Sequence, residues 1–291
     1  MLRPDWVLED FGLAVEQAVA VDGGADANAL LWRVVAGDGQ AYAVKFSRTG
    51  AVAGLELTAR LDLPGVPRPL PARDGRPWSV REGWRLSVVP WVSDRPAFRS
   101  GLMTAERWRA YGRLLASVHA ARAPVGLPRI GDLQAVVTGL AARVRPVDGP
   151  LLALWTRRDA DAKVARLLDE AAGLAASLPP APLVVSHGDP HLGNVLLDDD
   201  DGGVWLIDWD DAMLAPREWD LMLVLGLDFF GVTERERAWF LDGYAPEGEF
   251  DRDRFAYYRK ARYLEDILLF AQQVRDGHDV DQAMAILREI L

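Results

Sequence analysis

At 291 residues, half of them hydrophobic, the chain has material for one large domain or two lobes with real cores, and 43 acidic against 33 basic side chains set its net charge at −10. It contains no cysteine, which excludes a disulfide framework, a thiolate nucleophile and a zinc–thiolate centre and fits a reducing cytoplasm. Asp5, Glu9 and Asp10 interrupt the stretch from Met1 to Leu13, and apolar runs such as Leu221 to Leu227 are too short for a bilayer, so neither a secretory leader nor a membrane span is expected.

The first ninety or so residues read as short β-type runs separated by Gly/Asp turns. Leu30 to Val35 and Ala41 to Phe46 flank Gly37-Asp38-Gly39-Gln40, a hairpin signal, and a second pair, Trp78 to Arg81 and Trp84 to Val89, is joined near Glu82-Gly83. Between the pairs, Ala51 to Leu61 has helical spacing and stops before Pro64-Gly65. From Thr104 the apolar period becomes helical, with Trp108, Tyr111, Leu115 and Val118 on one stripe and Pro124 closing the segment; His119 on this helix reads as a packed structural residue. Residues 132 to 178 are Ala/Leu/Arg-rich and helical, broken near Pro146 to Pro150, and helices dominate again from Arg217 to Leu291. The chain shows no internal repeat and no long linker, and Pro96 lies nearest to a boundary between a small strand-rich part and a larger helical one. The expected fold class is therefore α+β.

The stretch that carries chemistry begins at His187-Gly188-Asp189-Pro190-His191-Leu192-Gly193-Asn194. An apolar run, an Asp/Gly turn and a second run, Val204-Trp205-Leu206-Ile207, then lead into Asp208-Trp209-Asp210. An Asp followed five residues later by an Asn, with another Asp ending a short strand, supplies a base that orients a hydroxyl and two oxygen ligands for magnesium, which is what phosphoryl transfer requires. Upstream, Lys45 ends the strand Ala41-Tyr42-Ala43-Val44-Lys45. Only Lys163 and Lys260 accompany it among the 33 basic residues, so a compact ammonium at this position stands out in a chain that otherwise uses Arg.

This order resembles the aminoglycoside phosphotransferase family of small-molecule kinases, whose loop reads His-Gly-Asp with Gly-Asn four residues on and whose metal Asp sits in Ile-Asp-Trp. The resemblance implies a two-lobed, protein-kinase-like fold, with residues 1–92 as nucleotide-binding lobe and hinge and 93–291 as catalytic and substrate-binding helical lobe. It implies ATP and Mg2+ as cofactors, Asp189 as the base, Asn194 and Asp208 as metal ligands, and Lys45 on the α- and β-phosphates with Glu56 as its ion-pair partner. The small residues of Gly23-Gly24-Ala25-Asp26-Ala27-Asn28, between two predicted strands, would let the backbone of Gly23, Gly24 and Asn28 approach the phosphates. Pro90 keeps a carbonyl but lacks an N–H, so Pro90 and Val92 suit the two hinge contacts to adenine. His187 would brace the loop, and Asp220 in Glu218-Trp219-Asp220-Leu221 would tie a helix to it. Glu265 and Asp266 lie on a late helix expected to begin near Phe255. Adjacent helix positions diverge by about 100°, so one of the two would face a substrate ammonium.

The last 111 residues carry 24 acidic against 10 basic side chains, which makes nucleic acid a poor partner and a hydroxyl-bearing, cationic small molecule a suitable one. The Leu-Ala-Pro-x-Glu-x-Asp-Leu form of residues 214–221 is similar to the spectinomycin phosphotransferase branch. Choline, homoserine, fructosamine and macrolide kinases share the catalytic set, and GTP is an alternative to ATP. Two readings of other classes compete with an active kinase. On a strand, His187, Asp189 and His191 would point one way and could bind a transition metal in a hydrolase, but Pro190 opposes a regular strand there. A regulatory pseudokinase would lack a catalytic position, whereas Lys45, Asp189, Asn194 and Asp208 are all present.

Overall fold

The computed structural model describes residues 2–21, 29–48, 51–124, 126–144, 149–198, 202–226, 231–245 and 248–291, with the side chains of residues 99 and 100 outside that description. The chain divides into two compact units, residues 1–129, 183–220 and 228–247 forming one and residues 130–182, 221–227 and 248–291 the other. In this division the sheet of the first ninety residues and the Asp189 loop share a unit, whereas the lobes expected at 1–92 and 93–291 separate them.

The first unit opens with helix α1 (Pro4–Phe11), which the sequence reading did not anticipate. Pro4 sits in its first turn, where a missing N–H costs nothing, and Gly12 ends it in the left-handed conformation at φ +71°. An antiparallel sheet follows in the order β1 (Val15–Ala20), β2 (Ala29–Ala36), β3 (Ala41–Ser47), β5 (Trp84–Pro90), β4 (Ser79–Arg81). Both expected hairpins are present, and the expected helix between them is shorter, α2 (Ala53–Thr58).

The register of β3 on β5 pairs Val44 with Val88, Lys45 with Ser87, Phe46 with Leu86 and Ser47 with Arg85. Because strand side chains alternate, Val44, Phe46, Leu86 and Val88 share one face, where they pack with Trp6, Val7 and Val34 in a core. Lys45, Arg85 and Ser87 consequently occupy the opposite face.

The same unit contains α3 (Ala97–Ser100), α4 (Ala105–His119) and α9 (Glu234–Tyr244). Thr104 caps α4 by accepting from Arg107 N–H, and its predicted stripe of Trp108, Tyr111, Leu115 and Val118 is fully buried. A Cβ on Gly112 would lie 2.1 Å from Phe240 O, and one on Gly243 2.1 Å from Arg109 O, so the two helices cross at backbone contact.

Two small hairpins complete this unit: β6 (Val184–Ser186) pairs with β9 (Met213–Ala215), and β7 (Val195–Leu197) pairs with β8 (Val204–Leu206). Helix α8 (Glu218–Leu225) begins here and ends in the second unit.

The second unit is helical: α5 (Leu133–Arg143), α6 (Gly149–Arg157), α7 (Ala160–Ser177), α10 (Arg252–Asp276) and α11 (Val280–Ile290). Its core gathers Val137, Leu154, Trp155, Leu264, Ile267, Leu268 and Leu287. Asp251 caps α10, accepting from the N–H groups of Asp253 and Arg254, so that helix starts three residues before the expected Phe255. Lys163 caps the end of α11 with its ammonium, 2.7 Å from Ile290 O and 3.2 Å from Leu291 O.

Candidate active site

The site grows out of the nesting of the two small hairpins. Strands β6 and β9 form the outer pair and β7 and β8 the inner pair, so the connections 187–194 and 207–212 leave the hairpins side by side. Gly188 makes this fit possible: it adopts φ +92°, and a Cβ there would meet Asp211 O at 2.1 Å. His187 crosses between the connections. Its Nδ1 accepts from Asp189 N–H at 3.2 Å and its Nε2 faces Ile207 O at 2.9 Å, which fixes a neutral ring with the proton on Nε2. Burial holds this imidazole below its ordinary pKa.

Asp220, at the start of α8, supports the loop from beneath. Its carboxylate accepts from the N–H groups of His187 and Gly188 at 2.8 and 3.0 Å and lies 3.1 Å from His119 Nε2, while Trp219 Nε1 donates to Gly188 O at 2.7 Å. His119 also meets Tyr244 Oη at 2.7 Å and is buried, so it packs inside the unit as expected. Burial pushes the Tyr244 phenol up to about 12. Tyr111 Oη donates to Pro190 O, closing the support under the loop.

Within the loop, Asn194 Nδ2 donates to Asp189 O at 2.9 Å, which ties the candidate base to the candidate metal ligand and leaves the amide Oδ1 as the end available to a cation. Ile207 N–H donates to Asn194 O at 2.9 Å, one step beyond the Val195–Leu206 pair, so the hairpin register sets Asn194 opposite the residue before Asp208. Asp208 has φ +60°, a left-handed backbone unusual for a non-glycine residue. Amide and carboxylate oxygens form a donor set suited to a hard cation such as Mg2+, which takes one or two protein ligands together with phosphate oxygens. Among the described residues no three His, Cys, Asp or Glu side chains converge on a cation site. With both nitrogens of His187 engaged inside the loop, the His187-Asp189-His191 metal reading fails.

Lys45 reaches this loop from the sheet. Its Nζ lies 3.0 Å from Asp208 Oδ1 and 2.9 Å from Asp210 Oδ2. Burial alone would lower the Lys45 ammonium, but the charges of Asp208 and Asp210 outweigh it and hold the group above its ordinary pKa. Asp210 has a second cation: Arg85 Nη2 sits 3.2 and 3.3 Å from its two oxygens. Burial would raise the Asp210 carboxyl, and Lys45 and Arg85 together bring it below the ordinary carboxylate value. Helix α2 lies against the same loop, since a Cβ on Gly54 would fall 1.8 Å from Trp209 O.

The structure thus brings Lys45, Asp208, Asp189 and Asn194 into one framework of loop and strand. The expected Lys45–Glu56 pair is not formed: Glu56 lies half-buried on α2, and the ammonium is held by the two closer carboxylates of the 208–210 turn. Pro90 closes β5 opposite Tyr42, and Trp91 N–H donates to Ala41 O at 2.9 Å, so Val92 is the first residue beyond that pairing. Glu265 and Asp266 are half-buried on α10, where Asp266 accepts from Arg262 Nε at 2.9 Å. Gly23, Gly24 and Asn28 lie outside the described residues. The sequence reading missed Arg85. Its signal was a charged residue inside the strand-forming run Trp84-Arg85-Leu86-Ser87-Val88-Val89, two positions before Ser87, the partner of Lys45, and so on the same face as Lys45.

No curated protein matches the chain. Among solved structures, spectinomycin phosphotransferase APH(9)-Ia, in complex with ADP and spectinomycin, is 22% identical with a TM-score of 0.83, over 99% of this chain and 92% of that one. Amicoumacin kinase hAmiN, in complex with AMP-PNP, Ca2+ and Ami, is 16% identical with a TM-score of 0.70, over 98% and 90%. A choline/ethanolamine kinase family protein from Mesorhizobium loti is 16% identical with a TM-score of 0.66, over 94% and 85%. These likenesses establish an α+β, kinase-like fold. The pattern of the phosphotransferase enzyme family (APH) matches residues 18–258, most of the chain, and the protein belongs to that family.

Proposed function

We propose that the protein transfers the γ-phosphate of ATP to a hydroxyl of a small molecule of the aminoglycoside or spectinomycin class, an antibiotic-modifying reaction carried out in the cytoplasm. The observation that carries this reading is the joint placement of Lys45 on Asp208 at 3.0 Å and of Asn194 on Asp189 O at 2.9 Å. The solved spectinomycin phosphotransferase, similar over nearly the whole chain, supports the substrate class.

In this reading the acceptor hydroxyl lies against Asp189, which orients it and receives its proton. Asn194 through Oδ1 and Asp208 through its carboxylate hold Mg2+, which supplies charge neutralisation across the phosphates when bound. Lys45 pairs with the α- and β-phosphates, under cover of the Gly23, Gly24 and Asn28 backbone. Glu56 would serve as a further carboxylate for Lys45 beside Asp210, its principal partner. Pro90 O and Val92 N–H take the adenine, and Glu265 or Asp266 takes a substrate ammonium. The lobes at 1–92 and 93–291 divide these tasks between nucleotide and acceptor. Asp189 needs no raised pKa, because positioning and electrostatics supply most of the rate.

A panel of spectinomycin, aminoglycosides, macrolides and choline-like amines, assayed with γ-labelled ATP and followed by mass spectrometry, tests the proposal. Label on a spectinomycin or aminoglycoside hydroxyl supports it. Exclusive transfer to choline or a macrolide would overturn the substrate class, and no transfer at all would overturn the activity.

A further inference from the structure

His191 has no part in the chemistry derived so far, yet three features of its surroundings fix its ring. Gly193 N–H donates to His191 Nδ1 at 2.9 Å. A backbone N–H can only donate, so Nδ1 is the accepting nitrogen and the ring proton of the neutral imidazole resides on Nε2. That Nε2 lies 3.2 Å from Asp189 Oδ2. A Cβ on Gly193 would stand 2.6 Å from the ring's Cε1 and 2.8 Å from Nδ1. The Nδ1–Cε1 edge of the imidazole therefore lies against residue 193, in space that only glycine leaves open. Gly193 does not adopt a positive φ, so the missing side chain, not the backbone conformation, is what the site requires here.

We propose that His191 is a positioning residue for the candidate base: its Nε2–H holds Asp189 Oδ2, so that the carboxylate presents its other oxygen to the acceptor hydroxyl. This rests on the phosphotransfer reading above. Gly193 is the second half of the device, because its N–H selects the tautomer and its bare α-carbon admits the ring. Asn194 holds the main chain of Asp189 and His191 holds its side chain, so the base is clamped at both ends. A carboxylate left free to rotate would spend part of its time with neither oxygen aligned on the hydroxyl, which lowers turnover and leaves nucleotide binding alone.

The test combines kinetics with nitrogen NMR. His191→Ala should lower kcat about ten- to a hundredfold, the loss expected of one hydrogen bond to a charged group, with the affinity for ATP unchanged. His191→Gln, which keeps a donor, should recover part of that loss. Gly193→Ala should reproduce the defect in the wild-type background by displacing the ring, and add little when His191 is already Ala. Additive losses in the double variant, or a loss confined to ATP affinity, would overturn the proposal. The chain has four histidines, so the 15N signals of His191 can be assigned by single substitutions. They should report Nε2–H and an unprotonated Nδ1 at neutral pH, and an Nδ1–H tautomer would overturn the proposal. That readout stands even if the wild type transfers phosphate to no acceptor, the outcome that defeats the phosphotransfer reading instead.

Discussion

Replacing Asp210 with Asn should destabilise the protein far more than a half-exposed carboxamide swap would. Arg85 is 4% exposed, and among the described residues its anion partner is Asp210, at 3.2 Å from one oxygen. The remaining guanidinium atoms Nε and Nη1 are buried without a hydrogen-bond partner, so among the described residues no other group is placed to take over the charge. Removing the carboxylate leaves a buried cation uncompensated, a change that costs about 3–5 kcal/mol. Lys45 loses one of its two carboxylates at the same time, but Asp208 remains at 3.0 Å.

If this account is right, the cost belongs to the stranded Arg85 rather than to the Asp210 side chain itself. In an Arg85→Met background, Asp210→Asn should therefore cost about 1 kcal/mol or less, giving a coupling of roughly 2–4 kcal/mol. Urea unfolding followed by far-UV circular dichroism, on wild type, both single variants and the double, yields the four values at constant m. Additivity within about 0.5 kcal/mol, or a wild-type midpoint for Asp210→Asn, would refute the reasoning.

The contrast between Arg85 and Lys45 shows which parts of this site could be read from the sequence. Lys45, Asp189, Asn194 and Asp208 were legible because each belongs to a contiguous pattern: a strand ending in Lys, and two short loops whose residue types suit a base and a hard cation. The hairpins were legible for a similar reason, since Gly37-Asp38-Gly39-Gln40 and Glu82-Gly83 are local turn chemistry. Helix α1 was not, because eight residues bury only Trp6 and Val7, too few to establish a period. The Lys45 partner was not legible either. Glu56 is the nearest acid on the neighbouring helix, but the choice between it and Asp210 depends on how the 208–210 turn meets β3 and β5, a distance of 165 residues along the chain for Lys45 and Asp210. His191 was legible as a residue but not as a role. Its function follows from the ring lying against Gly193, which a sequence spacing of two cannot distinguish from alternation on a strand.

Further expectations follow from the same geometry. Asp189→Asn should lower kcat by about two to four orders of magnitude with ATP affinity nearly intact, and near-normal turnover in a folded variant would remove Asp189 from the chemistry. Asp208→Ala should abolish magnesium-dependent nucleotide binding by calorimetry, and Lys45→Arg should weaken it, because the wider guanidinium does not replace an ammonium held between two carboxylates. Nucleotide affinity should fall more in Asp210→Asn than in Glu56→Gln, since Asp210 is the carboxylate that holds Lys45 here; the reverse order would restore Glu56 as the principal partner. The last expectation concerns acid. His187 is buried and neutral, and its folded pKa is lowered from 6.5, so below that value the unfolded chain takes up a proton that the folded chain refuses. Stability must then fall as the pH drops from about 6.5 toward the folded pKa, with a limiting slope of about 1.4 kcal/mol per pH unit from this one group. Asp210 adds to the decline at lower pH, because its folded pKa is also depressed and its stabilisation is lost as the carboxylate is protonated. The two are separable: His187→Gln costs stability at pH 7.5 by breaking the bonds to Asp189 N–H and Ile207 O, but it removes the titrating group. Urea midpoints measured from pH 7.5 to 5.5 should therefore fall less steeply for the variant than for the wild type, and parallel curves would show that His187 is not the group whose protonation lowers stability in this range.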